Sequence, residues 1–425
     1  MKRVVIAKAF LVALVLFSIN TAKAQYLLNS DSAFKAGIPN SGRLWGYSFG
    51  DLFYKSHSDS LNRGGNNQYT NVKQGTTEFQ FRRIYLGYDY NISKVFSTEL
   101  LLAAEDDFTS GDLLQNNKFT PYIKLANIRW HNFLFRGNDM VVGLQPTPAF
   151  PYMTESIFNY SRPVERTITD IRRTPSFDFG AGLQGRFYSM NKSVIYGYDF
   201  LVANGAGAKP QNLNSAVYKW FYGDVFARFL KSKLIVDLYQ DYQRQYWAPG
   251  QHGHAARQMT KLALVWKDPK LTVGVESFVN GLKQTEVGTR GLVKDTLDGH
   301  ATGTSFYIQG NILQERLRFF IRYDIYNPDT RYDNTTYSKY AALYGVGTSY
   351  EPNARERFLS FGLDFVPVKN VHFMPNIWYT KYIGQQANLQ GAAAYDYDLV
   401  FRATFYFTFG KQFSSPTYSY YPYTR

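Results

Sequence analysis

The chain has 425 residues, a formal net charge of +14 and no cysteine. The absence of cysteine excludes a disulfide framework, Cys-ligated zinc, iron–sulfur clusters and thiol catalysis. Tyr (35) and Phe (34) are abundant and hydrophobic residues make up 45%, yet the mean hydropathy is −0.33. Apolar and polar residues must therefore be finely interleaved, as in a protein with one lipid-facing and one wet surface.

The first 24 residues have the pattern of a secretory signal peptide. Lys2 and Arg3 precede an apolar run, and small residues lead to an expected cleavage after Ala24. An N-terminal membrane anchor is the alternative, but the run is short for a spanning helix. We predict a periplasmic segment over 25–42. No later stretch approaches the ~20 apolar residues of a membrane helix, so insertion would need strands.

Between residues 43 and 409, sixteen segments have strand composition and mostly alternate between apolar and polar residues. The last segment, 400–409, places Phe401 and four other apolar residues on one face. Such a face would promote aggregation in water but is the required surface in lipid. The segment 316–326 repeats the pattern with charges on the other face, which must face the lumen. In 77–90 the phase slips at Arg82-Arg83, which predicts a β-bulge.

The connections between these segments alternate in length. Short turns are predicted near Asn91-Ile92, 132–137, 188–191, Lys231, Asp268-Pro269, Glu315 and Val368–Asn370. Longer polar loops are predicted near 55–76, 106–119, 148–175, 205–216, 248–256, 281–303, 328–355 and 383–396. Short periplasmic turns and long external loops are typical of bacterial barrels, and an even strand number puts both chain ends on the periplasmic side.

These patterns predict an all-β fold, a transmembrane antiparallel up-and-down β-barrel of about 16 strands over 43–409, followed by a C-terminal tail over 410–425. The bacterial outer membrane is the expected location, with its lipid as a partner. A soluble β-sandwich or propeller is the alternative, but it leaves apolar faces such as that of 400–409 unexplained.

Motifs that could carry chemistry are weak. Gly180-Ala-Gly-Leu-Gln-Gly185 matches a dinucleotide-binding string, but it lies within a predicted strand with no following helix. These glycines are expected on the lumen face, leaving room for a loop folded inside. His252 and His254 lack a third metal ligand. We therefore expect no metal, no cofactor and no catalysis, although an enzyme site assembled across the barrel stays open. The export signal argues against nucleic-acid binding.

The loop 148–175 is the third long loop and carries both charge signs. If it folds into the barrel, it would narrow the lumen and form a pore constriction. The alternative is an ordinary external loop with solvated or paired ions. The residues predicted at this constriction are Glu155, Arg162, Glu165, Arg166, Asp170, Arg172 and Arg173.

Charged residues on the polar faces of the strands are predicted to line the lumen. An excess of positive charge in a confined lumen favours anions. Alternatively, these cations pair with acids such as Asp178, Asp224, Asp237 and Asp364 and hold the inner wall together. The predicted lumen-lining residues are Arg186, Arg228, Lys261, Arg316, Arg318, Arg322, Asp324 and Arg402.

Large aromatic residues near the ends of the predicted strands suggest an interfacial girdle. A platform for stacking sugars is the alternative. The residues concerned are Trp45, Tyr47, Tyr85, Tyr90, Trp130, Trp220, Tyr222, Trp247, Trp266, Trp378 and Tyr379.

Over most of the mature chain the sequence resembles the phosphate-selective porin O and P family, and particularly porins of Bacteroidetes-type bacteria. The stretches that carry the resemblance are RLWGYSFGDLFYK (43–55), FQFRRIYLGYD (79–89), VGLQPTP (142–148) and FGAGLQGRF (179–187). The resemblance implies a sixteen-stranded barrel, often a homotrimer, that passes small solutes by diffusion through a constriction formed by the third loop.

The expected function is a passive porin for small hydrophilic solutes, with an anion preference as one possibility. Phosphate selectivity does not carry over, because no arginine ladder and lysine cluster can be matched residue by residue. The alternative is a plugged barrel that acts as a scaffold or secretion-complex partner. The C-terminus departs from the pattern of outer-membrane barrels, which commonly end on an aromatic residue. Here Phe409 is followed by Gly410 and a tail rich in Tyr and Pro.

Overall fold

The computed structural model describes residues 38–60, 68–69, 72–105, 121–149, 157–158, 164–172, 176–190, 193–207, 218–244, 255–313, 316–342, 354–384 and 396–414. The predicted signal peptide, most of the segment before the barrel and residues 415–425 lie outside this part of the chain. Within it, no helix is long and apolar enough to cross a membrane.

The described residues form 17 strands and a short helix. The first nine strands are β1 (Ser41–His57), β2 (Thr77–Asn91), β3 (Phe96–Glu105), β4 (Tyr122–Trp130), β5 (Asn138–Pro146), β6 (Phe177–Tyr188), β7 (Ile195–Ala203), β8 (Trp220–Phe229) and β9 (Leu234–Arg244). The others are β10 (Ala256–Lys267), β11 (Leu271–Arg290), β12 (Val293–Leu313), β13 (Leu317–Asn327), β14 (Lys339–Ala342), β15 (Ala354–Val368), β16 (Val371–Gly384) and β17 (Tyr397–Ser414). The helix α1 (Ile168–Arg172) lies between β5 and β6.

Sixteen of these strands form a closed antiparallel barrel, which confirms the predicted fold class. Each strand pairs with its neighbours in chain order, and β1 closes the ring by pairing with β17. The seventeenth strand, β14, is not part of the ring order. Among the described residues it pairs only with the outer end of β11, and β13 pairs directly with β15. Closure leaves no sheet edge exposed to lipid.

Six of the seven predicted short turns lie wholly or partly among the described residues, and each of these six joins two strands at one end of the barrel, while Glu315 lies outside the described residues. One predicted loop, 281–303, is wrong: β11 and β12 continue through it as a hairpin that turns at Gly291-Leu292. Its residues are polar on both faces, so composition resembles a loop while the backbone still pairs. The last strand also runs to Ser414, five residues past the predicted end of the barrel.

The outer face of the barrel is apolar, and the inner face carries charged and polar groups. Along β17, Phe401, Phe407 and Phe409 are exposed on the outside, whereas Arg402 and Thr404 are buried on the inside. The register of β1 with β2 skips one residue at Arg82, which is the predicted bulge. Arg82 and Arg83 therefore both point inward, and the alternation of Phe81 and Ile84 outside is preserved.

Part of the predicted aromatic girdle faces inward instead. Trp130 and Trp266 are exposed on the outside, whereas five of the predicted girdle residues are buried, and Trp247 lies outside the described residues. Composition marks a strand end but not the face, and these large rings fill the barrel interior. The five buried residues are Tyr47, Tyr85, Trp220, Tyr222 and Trp378.

The glycines of β6 make room for the next strand rather than for a loop. A Cβ atom at Gly180 would lie 2.2 Å from the carbonyl oxygen of Val202, and one at Gly182 would lie 2.6 Å from that of Phe200. Both contacts are with the backbone of β7, which pairs with β6. Glycine is therefore required by close approach of two strands.

Candidate functional site

The described residues of the chain between β5 and β6 lie inside the barrel. Lys261 on β10 donates a hydrogen bond from Nζ to the carbonyl oxygen of Ala149 (2.7 Å). Gln309 on β12 donates from Nε2 to the carbonyl oxygen of Ile157 (3.0 Å). Because both donors face inward on strands remote from β5 and β6, a loop outside the barrel could not reach them.

The middle of this loop is held by arginines from two further strands. Arg82 donates from Nη1 to the carbonyl oxygen of Val164 (3.2 Å). Arg322 on β13 donates from Nη1 to the carbonyl oxygens of Glu165 (2.9 Å) and Arg166 (2.7 Å). Carbonyl groups that lose water inside the barrel are thereby satisfied by charged donors.

The helix α1 and its flanks contact three more strands. Thr169 donates from Oγ1 to Glu276 Oε1 on β11 (3.2 Å), and Arg172 forms an ion pair with Glu356 on β15. The indole of Trp378 on β16 donates to Glu165 Oε2 (3.3 Å). The loop is therefore bound to seven strands of the wall.

An apolar cluster fixes the same loop. Ile157, Phe158 and Val164 are buried, and the ring of Phe158 lies 4.8 Å from that of Tyr307. Burying these side chains contributes about 1.5–3 kcal/mol each. The wall residues of this cluster come from six strands and are Phe226, Ile235, Ala263, Val265, Tyr307, Phe320 and Met374.

Glu165 is the acidic centre of the loop. Burial by itself would raise the pKa of its carboxyl group, but the charges of Arg82, Arg166, Arg322 and Arg402 outweigh burial and hold that pKa below its ordinary value. The group is thus a carboxylate at neutral pH. It attracts cations from both the loop and the wall.

A second charge network lies behind the loop, on the wall. Asp51 on β1 accepts hydrogen bonds from the hydroxyls of Tyr69 (3.1 Å) and Thr404. The guanidinium groups of Arg82 and Arg402 lie 3.6 and 4.0 Å from the same carboxylate. These side chains are almost fully buried, so they bind one another within the wall and do not meet solutes.

Four of the predicted constriction residues are within the described chain. Glu165 and Arg172 bind the wall through their side chains and Arg166 through its carbonyl oxygen, while Asp170 accepts a hydrogen bond from the Ser176 hydroxyl (2.9 Å). The other three, Glu155, Arg162 and Arg173, lie outside the described residues, as do His252 and His254.

The predicted lumen-lining residues fall into three groups. Lys261, Arg322, Asp324 and Arg402 are 1–4% exposed and bound: Lys261 Nζ lies 3.5 Å from Asp237, and Arg322 Nη2 lies 2.5 Å from Asp324. This geometry favours pairing within the wall for these four. Arg186, Arg228 and Arg318 face inward and stay partly exposed. Arg316 is not on a strand but in the exposed turn before β13.

Two cations that sequence analysis missed are placed by bulges. Besides the bulge at Arg82, the β3–β4 register skips Lys124, which turns this side chain inward. Lys124 and the hydroxyl of Tyr85 both donate to Glu105 Oε1, and Arg83 Nε lies 4.0 Å from the same oxygen. Arg83, Lys124 and Glu105 remain partly exposed. The phase slip at 82–83 was the only sequence signal for them.

No protein family model and no curated protein matches the sequence. Solved structures with a similar fold include the outer-membrane channel DcaP of Acinetobacter baumannii, with 10% identity, a TM-score of 0.55 and coverage of 89% of this chain and 100% of that chain. The anion-selective porin from Comamonas acidovorans has 11% identity and a TM-score of 0.53, with 87% and 99% covered. OmpF of Salmonella typhi, in complex with daunomycin, has 10% identity and a TM-score of 0.52, with 87% and 98% covered.

At such low identity these likenesses establish the fold. The chain has the fold of the outer-membrane porins, and its apolar outer belt is the surface that lipid requires. Fold and belt together place the protein in the bacterial outer membrane.

Proposed function

We propose that the protein is a passive diffusion pore for small hydrophilic solutes, with the 148–175 loop as its constriction. The observation that carries this proposal is that the described residues of this loop lie inside the barrel and are bound to seven strands of the wall. A loop held in this way narrows the passage at its own level. Diffusion through such a pore needs no cofactor and no turnover.

We further propose that the pore prefers anions, phosphate-like ions among them. The partly exposed inward cations Arg83, Lys124, Arg186, Arg228 and Arg318 support this preference, because confined positive charge concentrates anions. Glu105 offsets one of the two charges of Arg83 and Lys124. The buried Lys261, Arg322 and Arg402 contribute less, because each lies beside an acidic side chain of the wall. The fold is shared with a porin described as anion-selective, which agrees with the proposal.

The test is single-channel recording of the purified protein in a planar bilayer, in asymmetric KCl. We expect stable conductance steps and a reversal potential displaced toward chloride. The double variant Arg83→Gln/Lys124→Gln should reduce that displacement, while Lys233→Gln, in the exposed turn between β8 and β9, should not. An unchanged reversal potential in the double variant would count against a role for the bulge cations.

A plugged barrel that serves as a scaffold is the second candidate. The apolar packing of Ile157 and Phe158 against the inner wall favours it, because such a cluster could fill the lumen. Folded protein that inserts into the bilayer but gives no conductance would move this candidate to first place. Conductance that rises when Arg172→Gln removes the ion pair with Glu356 would favour the constricted pore.

A homotrimer is the assembly that we propose, as the resemblance to trimeric porins implies. Sedimentation of the detergent-extracted protein should give three copies of the chain in each particle. Particles that contain a single copy of the chain and conduct fully would show that one barrel is the functional unit.

A further inference from the structure

A serine, a histidine and an aspartate meet at the short-turn end of the barrel, away from the loop. Ser97 lies near the start of β3, His131 follows β4, and Asp139 is the second residue of β5. Ser97 Oγ is 2.8 Å from His131 Nε2, and His131 Nδ1 is 3.3 Å from Asp139 Oδ2. Three separate segments of the polypeptide thus contribute to one series of hydrogen bonds.

The chemistry of these groups fixes the proton positions. A carboxylate can only accept, so Asp139 accepts from the Nδ1–H of His131. The Nε2 lone pair then faces Ser97, whose hydroxyl donates to it. This is the order of nucleophile, base and orienting acid that activates a serine for attack on a carbonyl group.

The surroundings suit a base and an accessible nucleophile. The side chains of His131 and Asp139 are 3% and 9% exposed, and Asp139 is held by the backbone N–H of Asn132 (3.1 Å) and by Arg129 Nη1 (3.2 Å). Burial lowers the pKa of His131, although Asp139 opposes that shift, so the imidazole is neutral at pH 7. Ser97 is only partly buried and belongs to the inward-facing parity of β3.

A positively charged residue lies opposite the nucleophile in the sheet. Arg129 is the residue directly opposite Ser97 in the β3–β4 register. Side chains at directly opposed positions lie about 4.5–5.5 Å apart at Cβ. The guanidinium of Arg129 binds Asp139 and Gln184 Oε1 (2.7 Å), so it adds positive charge near the negative oxygen that forms when a hydroxyl attacks an ester.

We propose that Ser97, His131 and Asp139 form a hydrolytic site for small water-soluble carboxylic esters that enter the lumen. Ser97 Oγ attacks the carbonyl carbon as its proton passes to His131 Nε2. The alkoxide of the ester leaves and takes that proton, which gives an alcohol and an acyl-Ser97. Water then attacks the acyl group, transferring one proton to His131, and the carboxylic acid leaves as Ser97 regains its proton. The site is independent of ion passage.

The test is covalent labelling of the purified wild-type protein with a fluorophosphonate probe, read by mass spectrometry of its peptides, together with hydrolysis of p-nitrophenyl acetate. We expect label on Ser97 and a hydrolysis rate that falls at least about tenfold in both Ser97→Ala and His131→Gln. Ser277→Ala removes a serine that is hydrogen-bonded on β11 without an imidazole and should match the wild type.

The outcome that overturns the proposal is a wild-type protein without label on Ser97, or a rate that Ser97→Ala leaves unchanged. In that case the three residues serve only to connect two periplasmic turns. Because labelling is measured on the wild type, poor folding of a variant cannot rescue the proposal. Conductance measured on the same preparations tests the pore separately, because the loss of Ser97 should not change ion passage.

Discussion

Among the described side chains of β13, Arg322 makes the hydrogen bonds that hold the loop. It is bound to Asp324 and to two loop carbonyl oxygens, and it is almost fully buried. Replacing it with Gln leaves Asp324 buried without its cation, a change that costs about 3–5 kcal/mol. We expect Arg322→Gln to lower the urea concentration at which the refolded barrel unfolds in detergent.

The matched control is Arg318→Gln, because Arg318 lies on the same face of the same strand and stays partly exposed. This variant should unfold near the wild-type urea concentration but shift the reversal potential. Equal destabilisation by both substitutions would mean that the wall is stabilised by its charge in general and not by the loop contacts of Arg322.

Glu165 gives the attachment of the loop a pH dependence. Since its pKa in the folded protein is held below the ordinary Glu value of about 4.3, its contribution to stability is complete above that value and is lost as the pH falls through the lowered pKa. We expect conductance to change as the pH falls below about 4.3, as the protonated loop loosens.

Glu165→Gln should abolish this acid step and show altered conductance already at pH 7. Glu78→Gln, at an exposed carboxyl on β2, should keep the wild-type profile. A wild-type acid step that persists in Glu165→Gln would assign the titration to another carboxyl group, and the ion cluster around Glu165 would then have no role in holding the loop.

At the scale of the element, β2 tolerates an extra residue because a bulge absorbs it. Deleting Arg82 leaves Phe81 next to Arg83, so each remaining side chain keeps its face and the ladder with β1 becomes regular. We expect the deletion variant to fold with a yield close to that of the wild type, measured by the shift in electrophoretic mobility on heating. In this variant the 148–175 loop should be less firmly held, because the hydrogen bond from Arg82 to the carbonyl oxygen of Val164 is lost.

Deletion of Leu86 is the control for this experiment. It shifts the rest of the strand by one residue and turns the lipid-facing side chains inward. We expect little folded protein from it. If the deletion of Arg82 prevented folding as completely, the guanidinium and not the alternation would be the essential feature of this stretch.

The same alternation of apolar and polar residues explains which parts of the fold could be predicted from the sequence. Where one face meets lipid, as at Phe401 to Phe409, apolar periodicity indicates the strand and its inward face, so the barrel and its short turns were predictable. The hairpin over 281–303 was not, because both of its faces are polar. The contacts of the site were less predictable still. Arg322 contacts Glu165 from more than 150 positions away in the sequence, and a local sequence pattern does not predict a contact across the lumen.

At the scale of the molecule, the barrel depends on the pairing of its two terminal strands. The register joins Ser41 to Ser414 and continues along β1 to the pair of His57 with Leu399. In the hydrocarbon core every backbone polar group needs a partner within the protein, and each group left without one costs several kcal/mol. Closure is therefore a property of the complete ring, which no single strand provides.

Truncation after Ser414 and after Thr408 tests how much of the C-terminus this closure needs. The first variant retains β17 whole, and we expect it to fold and conduct as the full chain does. The second removes the partners of residues 41–46 on β1 and opens the seam at one end, so we expect most of it to stay unfolded in lipid vesicles by heat-dependent electrophoretic mobility. Equal folding of the two variants would contradict the argument from closure. Failure of the first would show instead that residues 415–425, which the sequence marks only as a Tyr- and Pro-rich tail, are needed for assembly of the barrel.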